Sequence, residues 1–178
     1  MQMWRSSNLK TLPWCSEFVS SRPLGRLFPK IALDLCMNPS EVHAAVKRAQ
    51  ASQLLHGPEL RDRPNYSGIE EFLIHGLKYA FPVVRGELTR GVPTSYAAPP
   101  LNALIAPGDE PPPVWPYPLG SQRGVALEPL YKQAPKAALG NSGLYELLAL
   151  VDALRDGPRE RKLAEEMIVS RLRAAVNA

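Results

Sequence analysis

The sequence predicts a mainly α fold with a smaller β component (α+β), and three observations lead to this prediction. Helical periodicity with cap residues occurs both before residue 82 and after residue 135 of the 178-residue chain. Residues 82–135 lie between these regions and contain 12 of the 19 prolines. Proline removes a backbone donor and restricts the preceding residue, so this segment cannot be a regular helix. We expect N-terminal helices, an irregular Pro-rich segment with short strands, and C-terminal helices.

The N-terminal helices are predicted from cap and face patterns. Phe28, Ile31 and Leu35 recur on one helical face. A second helix over residues 39–51 begins at Asn38, a capping residue, with proline in the first turn and a glutamate that completes a reciprocal cap. The very short turn predicts a steep crossing, which requires small residues where the axes approach. The residues placed for that role are Ala32, Cys36 and Ala45.

The second helix has two distinct faces. Its apolar positions are Val42, Ala45, Val46 and Ala49, and its opposite stripe is Ser40, His43, Ala44 and Lys47, with Arg48 on the flank. In a helix lying in the major groove of DNA, such a stripe meets base edges and phosphates. The alternative is a capped amphipathic helix that belongs to any helical bundle.

Charge is distributed unevenly. Residues 1–63 contain nine Lys and Arg against five Asp and Glu, whereas residues 64–178 contain twelve of each, so the net charge of +4 arises in the first region. A localised basic excess is typical of a phosphate-binding surface, although a solvated face gives the same balance.

Residues 28–55 resemble the helix-turn-helix of bacterial winged-helix regulators of the MarR-like group. The resemblance lies in Ala32, a hydrophobic residue at Met37, the "NPSEV" turn and the closing "AQASQLL". Cys36 departs from the pattern, since glycine is commoner there. The resemblance implies a transcriptional regulator that inserts the helix of residues 39–51 into double-stranded DNA, as a homodimer on two half-sites.

The segment after this helix is short for a wing. Residues 56–66 cannot form a full two-stranded wing, so we expect a minimal one in which Arg61 and Arg63 reach phosphate. The chain then divides into a DNA-binding region, residues 1–66, and a region for partner, effector or dimer contacts, residues 67–178, with the Pro-rich insertion at 82–135.

The second region begins and ends with predicted helices. Ser67 and Glu70 form a capping-box pattern before a helix that Pro82 stops. Near the end of the chain, Asn141 or Ser142 caps one helix, and Pro158 suits the first turn of the last. Between them, the segment "RGVALEPLY" is the best strand candidate.

Candidate anion ligands lie in the Pro-rich segment. Arg85, Arg90 and Arg123 each precede a glycine, which lets backbone donors and a guanidinium approach one anion or effector. The alternative is that glycine supplies turns and arginine supplies solubility. No phosphate-loop pattern, Ser, His and acid arrangement or metal-ligand cluster completes a site. We therefore expect no enzyme, cofactor or metal.

Two other functions compete with DNA binding. One is a non-enzymatic protein-interaction subunit, such as an antitoxin-like partner, in which the segment around Trp115 grips another protein. The other is a nucleotide-handling enzyme using Arg85, Arg90 and His75, although a lone histidine on a helix edge is more often a boundary residue. The absence of a long apolar run predicts no secretory signal or membrane span, so we expect a cytoplasmic protein.

Overall fold

The structure is a computed structural model that describes residues 28–56, 63–106 and 108–176. Its helices are α1 (Phe28–Asp34), α2 (Pro39–Ala51), α3 (Tyr66–Glu71), α4 (Leu77–Ala80), α5 (Ala134–Gly140), α6 (Ser142–Arg155) and α7 (Pro158–Val176). Its strands are β1 (Arg85–Pro93), β2 (Pro113–Pro116) and β3 (Gln122–Leu127). This mixture of helix and sheet confirms the predicted α+β class.

The three strands form a small sheet within the Pro-rich segment. β1 is antiparallel to both β2 and β3, whereas β2 and β3 run parallel, so each strand pairs with the other two. β3 begins one residue before the predicted strand segment "RGVALEPLY" and ends within it. β1 is the longest strand, although most of its side chains are exposed.

Glycine allows the backbones of this sheet to approach closely. A Cβ built on Gly124 would lie 2.0 Å from the Pro112 carbonyl oxygen, and one on Gly91 would lie 2.1 Å from the Trp115 carbonyl oxygen. Atoms cannot approach so closely without repulsion, so larger residues at these positions would push the strands apart.

The helix predicted over residues 67–81 begins one residue earlier and is capped differently. The Asn65 side chain, rather than a box of Ser67 and Glu70, accepts from the Gly68 N–H at 3.1 Å. The same side chain donates to the Gln53 carbonyl at 2.9 Å. The expected capping box is therefore wrong, because a contact with the end of α2 fixes the cap at Asn65. Between α3 and α4 the helix widens into one π-helical segment, Phe72–Gly76.

The C-terminal helices follow their sequence signals. Asn141 caps α6, its side chain accepting from the Leu144 N–H at 3.0 Å, and α7 begins at Pro158 as predicted. Ile168 and Leu172 of α7 are buried. One cluster of buried side chains includes residues of every helix from α1 to α7 and of the sheet.

A buried carboxylate joins α6 to the Pro-rich segment. Asp152 of α6 is 1% exposed, and its Oδ2 accepts from Thr94 Oγ1 at 2.7 Å and from Trp115 Nε1 at 2.6 Å. Its Oδ1 accepts from Arg155 Nε at 2.9 Å and Nη2 at 2.7 Å. Arg155 also donates to the Glu128 carbonyl. These bonds satisfy groups that would be costly to bury unpaired, and they hold α6 to the strands.

Both α1 and α2 end in a Schellman motif without glycine. At the end of α2, the Leu54 N–H donates to the Ala49 carbonyl and the Gln53 N–H to the Gln50 carbonyl, which places Gln53 in the left-handed region with a φ of 57°. At the end of α1, Cys36 has a φ of 52°. This cysteine therefore adopts a backbone conformation that glycine takes at little cost.

Replacing Gln53 by glycine is expected to raise the free energy of unfolding by about 0.5–1 kcal/mol, because a left-handed conformation is unfavourable for an L-residue and costs glycine little. The Gln53 side chain is exposed, so its loss removes little packing. Urea denaturation measures the change. Ser52→Gly is the matched control, since Ser52 has an ordinary φ of −87°, and it should destabilise the protein. The expectation would be contradicted if both variants lowered the free energy of unfolding by the same amount.

Candidate nucleic-acid interface

Helices α1 and α2 pack through the faces predicted for them. The buried residues are Ile31, Ala32 and Leu35 before and at the turn, and Val42, Ala45, Val46 and Ala49 in α2. Tyr131 belongs to the same cluster as this turn. Burial raises the pKa of Tyr131, and the nearby Cys36 adds to the effect. The inner face of α2 is thus fixed against the rest of the protein.

The start of α2 is set by local sequence. Asn38 is the N-cap, Pro39 occupies the first helical position, and the Asn38 N–H donates to Glu41 Oε2 at 3.3 Å. A carboxylate at this end also interacts favourably with the helix dipole. These residues therefore fix where α2 begins.

The opposite face of α2 is open. Ser40, His43 and Lys47 are all exposed, whereas Ala44 and Arg48 are half-buried. No other part of the described chain covers the first three side chains. They lie at spacings of three and four residues, so they share one side of the helix.

Two side chains on this face have restricted surroundings. The His43 ring packs edge-on against Phe28 of α1, with ring centroids 5.8 Å apart and planes at 87°. Arg48 Nε is buried and has no hydrogen-bond partner among the described residues. Lys47 is therefore the freer of the two neighbouring cations on α2.

Described residues on either side of positions 57–62 pair with each other after α2. Leu55 and Pro64 form an antiparallel bridge, and the His56 N–H donates to the Arg63 carbonyl at 2.8 Å. Arg63 is exposed beside it, and Arg61 lies outside the described residues.

Comparison with known proteins yields no relative. No protein-family model, curated protein or solved structure matches the chain. Over the ranges that the structure describes, no helix is both long and apolar enough to cross a membrane. The same ranges contain no group of three His, Cys, Asp or Glu residues placed to hold a metal ion.

The three candidate anion ligands are divided between two places. Arg90 and Arg123 face each other in the register of β1 and β3 and line a cleft of about 370 Å³. Arg85 instead forms an ion pair with Asp156 at 2.5 Å. The structure thus brings two of the three arginines together and engages the third elsewhere.

His75 lies in a different cleft, which the sequence did not indicate. This cleft of about 580 Å³ is formed between the end of α2 and the helix of residues 66–80, and His75 shares it with Glu71 and Phe72. It has no lining residue in common with the Arg90 cleft. The nucleotide-enzyme hypothesis requires His75 and Arg90 to share one site. In the structure they lie in separate clefts.

Proposed function

We propose that this chain is a DNA-binding transcriptional regulator that inserts α2 into the major groove of double-stranded DNA. The observation that carries the proposal is the open face of α2, where Ser40, His43 and Lys47 are exposed on a helix whose inner face is fully packed. The major groove admits an α-helix, and base edges are read by side chains near its N-terminal end.

Each side chain on this face suits one part of a duplex. The small Ser40 permits close approach of the helix and offers a hydroxyl to a base edge. His43 lies one turn later and is oriented by Phe28. Lys47 is a mobile point charge suited to a phosphate. Arg63, exposed beside the bridge of Leu55 and Pro64, provides a further phosphate contact.

Two copies of the chain account best for sequence-specific binding. A single short helix contacts few base pairs, and helix-turn-helix proteins double their contacts by binding two half-sites as dimers. We place the dimer contact on the C-terminal helices, which leaves α2 free.

The competing protein-interaction function has less support. Its hypothesis placed the contact on the segment around Trp115, and within that segment Trp115 itself is 1% exposed and bonded to Asp152. The same segment does expose Leu104 and Leu119. Single exposed apolar residues are common on soluble proteins, so these two do not define an interface.

Lys47→Ala is expected to weaken binding to duplex fragments from upstream of the protein's own gene. One lost phosphate contact should also reduce the slope of log K against log salt by about 1. Fluorescence anisotropy across a salt series measures both quantities.

His43→Ala is expected to reduce discrimination between duplexes by about 1–3 kcal/mol if the ring reads a base.

The matched control is Lys136→Ala, which removes another exposed lysine, from α5. It should leave affinity and salt slope near those of the unaltered protein. Equal effects of Lys47→Ala and Lys136→Ala would contradict the proposed orientation of α2, as would unaltered duplex binding in both Lys47→Ala and Arg48→Ala.

A further inference from the structure

We propose that Arg90 and Arg123 form a binding site for a small phosphate monoester on the sheet. The proposal does not depend on DNA binding by α2. It rests on the register of β1 and β3, which places these two cations directly opposite each other.

The register brings like charges together. Directly opposed residues of an antiparallel pair project from the same face with Cβ atoms about 4.5–5.5 Å apart, and like charges in this arrangement are destabilising. Both arginines are exposed, and neither has a carboxylate partner within the described ranges. A dianion between the guanidinium groups would convert this repulsion into attraction.

Three other arginines have carboxylate partners. Arg85 pairs with Asp156, Arg155 with Asp152, and Arg171 with Glu146. The opposed pair on the sheet differs because two cations converge on one cleft with no acid between them. The cleft is lined by Leu88, Thr89, Arg90, Ser121, Gln122 and Arg123, so no acidic side chain contributes to its wall.

The backbone beneath the cleft fixes the spacing of the arginines. Gly124 follows Arg123 and lies against the Pro112 carbonyl, and Gly91 follows Arg90 and lies against the Trp115 carbonyl. These close contacts leave the strands little freedom to slide. The backbone positions from which the two arginines project are therefore fixed before a ligand binds, which reduces the entropy lost on binding.

The chemistry of the lining selects a phosphate monoester. Each guanidinium can donate two parallel hydrogen bonds to phosphate oxygens, and two positive charges match a monoester, which carries close to two negative charges at pH 7. Ser121 and Thr89 place hydroxyl-bearing residues at the cleft. Leu88 is 52% exposed and offers an apolar surface to the organic part of the ligand. A carboxylate, with one charge, fits less well.

Titration calorimetry with phenyl phosphate tests the site directly. We expect saturable binding to the full chain and a rise in Tm on ligand addition, with much weaker binding of benzoate. Arg90→Gln and Arg123→Gln should each reduce affinity at least about tenfold, because each removes charge-assisted hydrogen bonds. Arg173→Gln is the matched control, since Arg173 is an exposed arginine on α7, and it should bind as the unaltered protein does.

The Tm of each variant without ligand shows whether a loss of binding results from unfolding. Without ligand, Arg90→Gln and Arg123→Gln should unfold at a Tm equal to or above that of the unaltered protein, since each relieves the repulsion. The proposal is overturned if phenyl phosphate does not bind at millimolar concentration. It is overturned equally if Arg173→Gln lowers the affinity for phenyl phosphate as much as Arg90→Gln and Arg123→Gln do. It is also overturned if the two substitutions weaken duplex binding while phenyl phosphate neither binds nor competes, which would assign the pair to the DNA backbone.

Discussion

Replacing Asp152 by alanine is expected to lower the free energy of unfolding by about 3–5 kcal/mol, because it leaves the buried Arg155 guanidinium without its counter-charge. The same change removes the acceptor for Thr94 Oγ1 and Trp115 Nε1, both of which are buried. Unsatisfied buried donors bear a desolvation cost of their own. Urea denaturation followed by circular dichroism measures the loss.

Two further variants separate the role of this carboxylate from a general effect of losing charge. Asp109→Ala removes an exposed aspartate and should change stability by less than about 0.5 kcal/mol. The double variant Asp152→Leu with Arg155→Met should cost less than either single change, because it leaves no unpaired charge. A loss for Asp152→Ala as small as that for Asp109→Ala would mean that the network contributes little.

Replacing Gly124 by alanine is expected to cost about 3 kcal/mol or more, because the new methyl group overlaps backbone atoms that cannot rotate away. Its Cβ would lie 2.0 Å from the Pro112 carbonyl oxygen and 2.9 Å from Val114 Cγ1. β3 would have to separate from β2 at the point where the two pair. Thermal unfolding should show a lower Tm, and hydrogen exchange should show loss of protection in β3.

Gly140→Ala is the matched control for this substitution. A Cβ at Gly140, the last residue of α5, has nothing within 4 Å. Alanine there should be neutral or stabilise the protein by up to about 1 kcal/mol, since it restricts the unfolded chain. If Gly124→Ala were tolerated as well as Gly140→Ala, the close approach of the strands would not be a determinant of the fold.

The parts of the fold that the sequence predicted depend on neighbouring residues. Asn38, Pro39 and Glu41 specify the start of α2 within one turn, and Asn141 and Pro158 do the same for α6 and α7. Cap signals act over three or four residues, so they can be identified without knowing the tertiary structure. The burial of one face of α2 followed from apolar spacing in the same way.

The features that the sequence did not predict depend on distant residues. Asp152 and Arg155 have the spacing of an ordinary exposed helical ion pair, and only Thr94 and Trp115, remote in sequence, show that the pair is buried. The cap at Asn65 depends similarly on Gln53. β1 lacks the apolar alternation of a half-buried strand, so its pairing could not be inferred from periodicity.

The candidate sites also differ in whether they depend on neighbouring or on distant residues. The exposed face of α2 followed from helical spacing alone, because Ser40, His43 and Lys47 belong to one element. The opposition of Arg90 and Arg123 required the register of two strands, which no local pattern specifies. The separate engagement of Arg85 required the position of Asp156 at the end of α6.

The hydrogen bonds of Asp152 and Arg155 also determine how this part of the molecule opens. The carboxylate accepts from Thr94 and Trp115, and the guanidinium donates to the carbonyls of Phe81 and Glu128. Any one of these segments can detach only by leaving a charged or polar group stranded in an apolar interior. Residues 81–155 should therefore behave as a single cooperative unit, whose slowest-exchanging amides report one shared opening free energy.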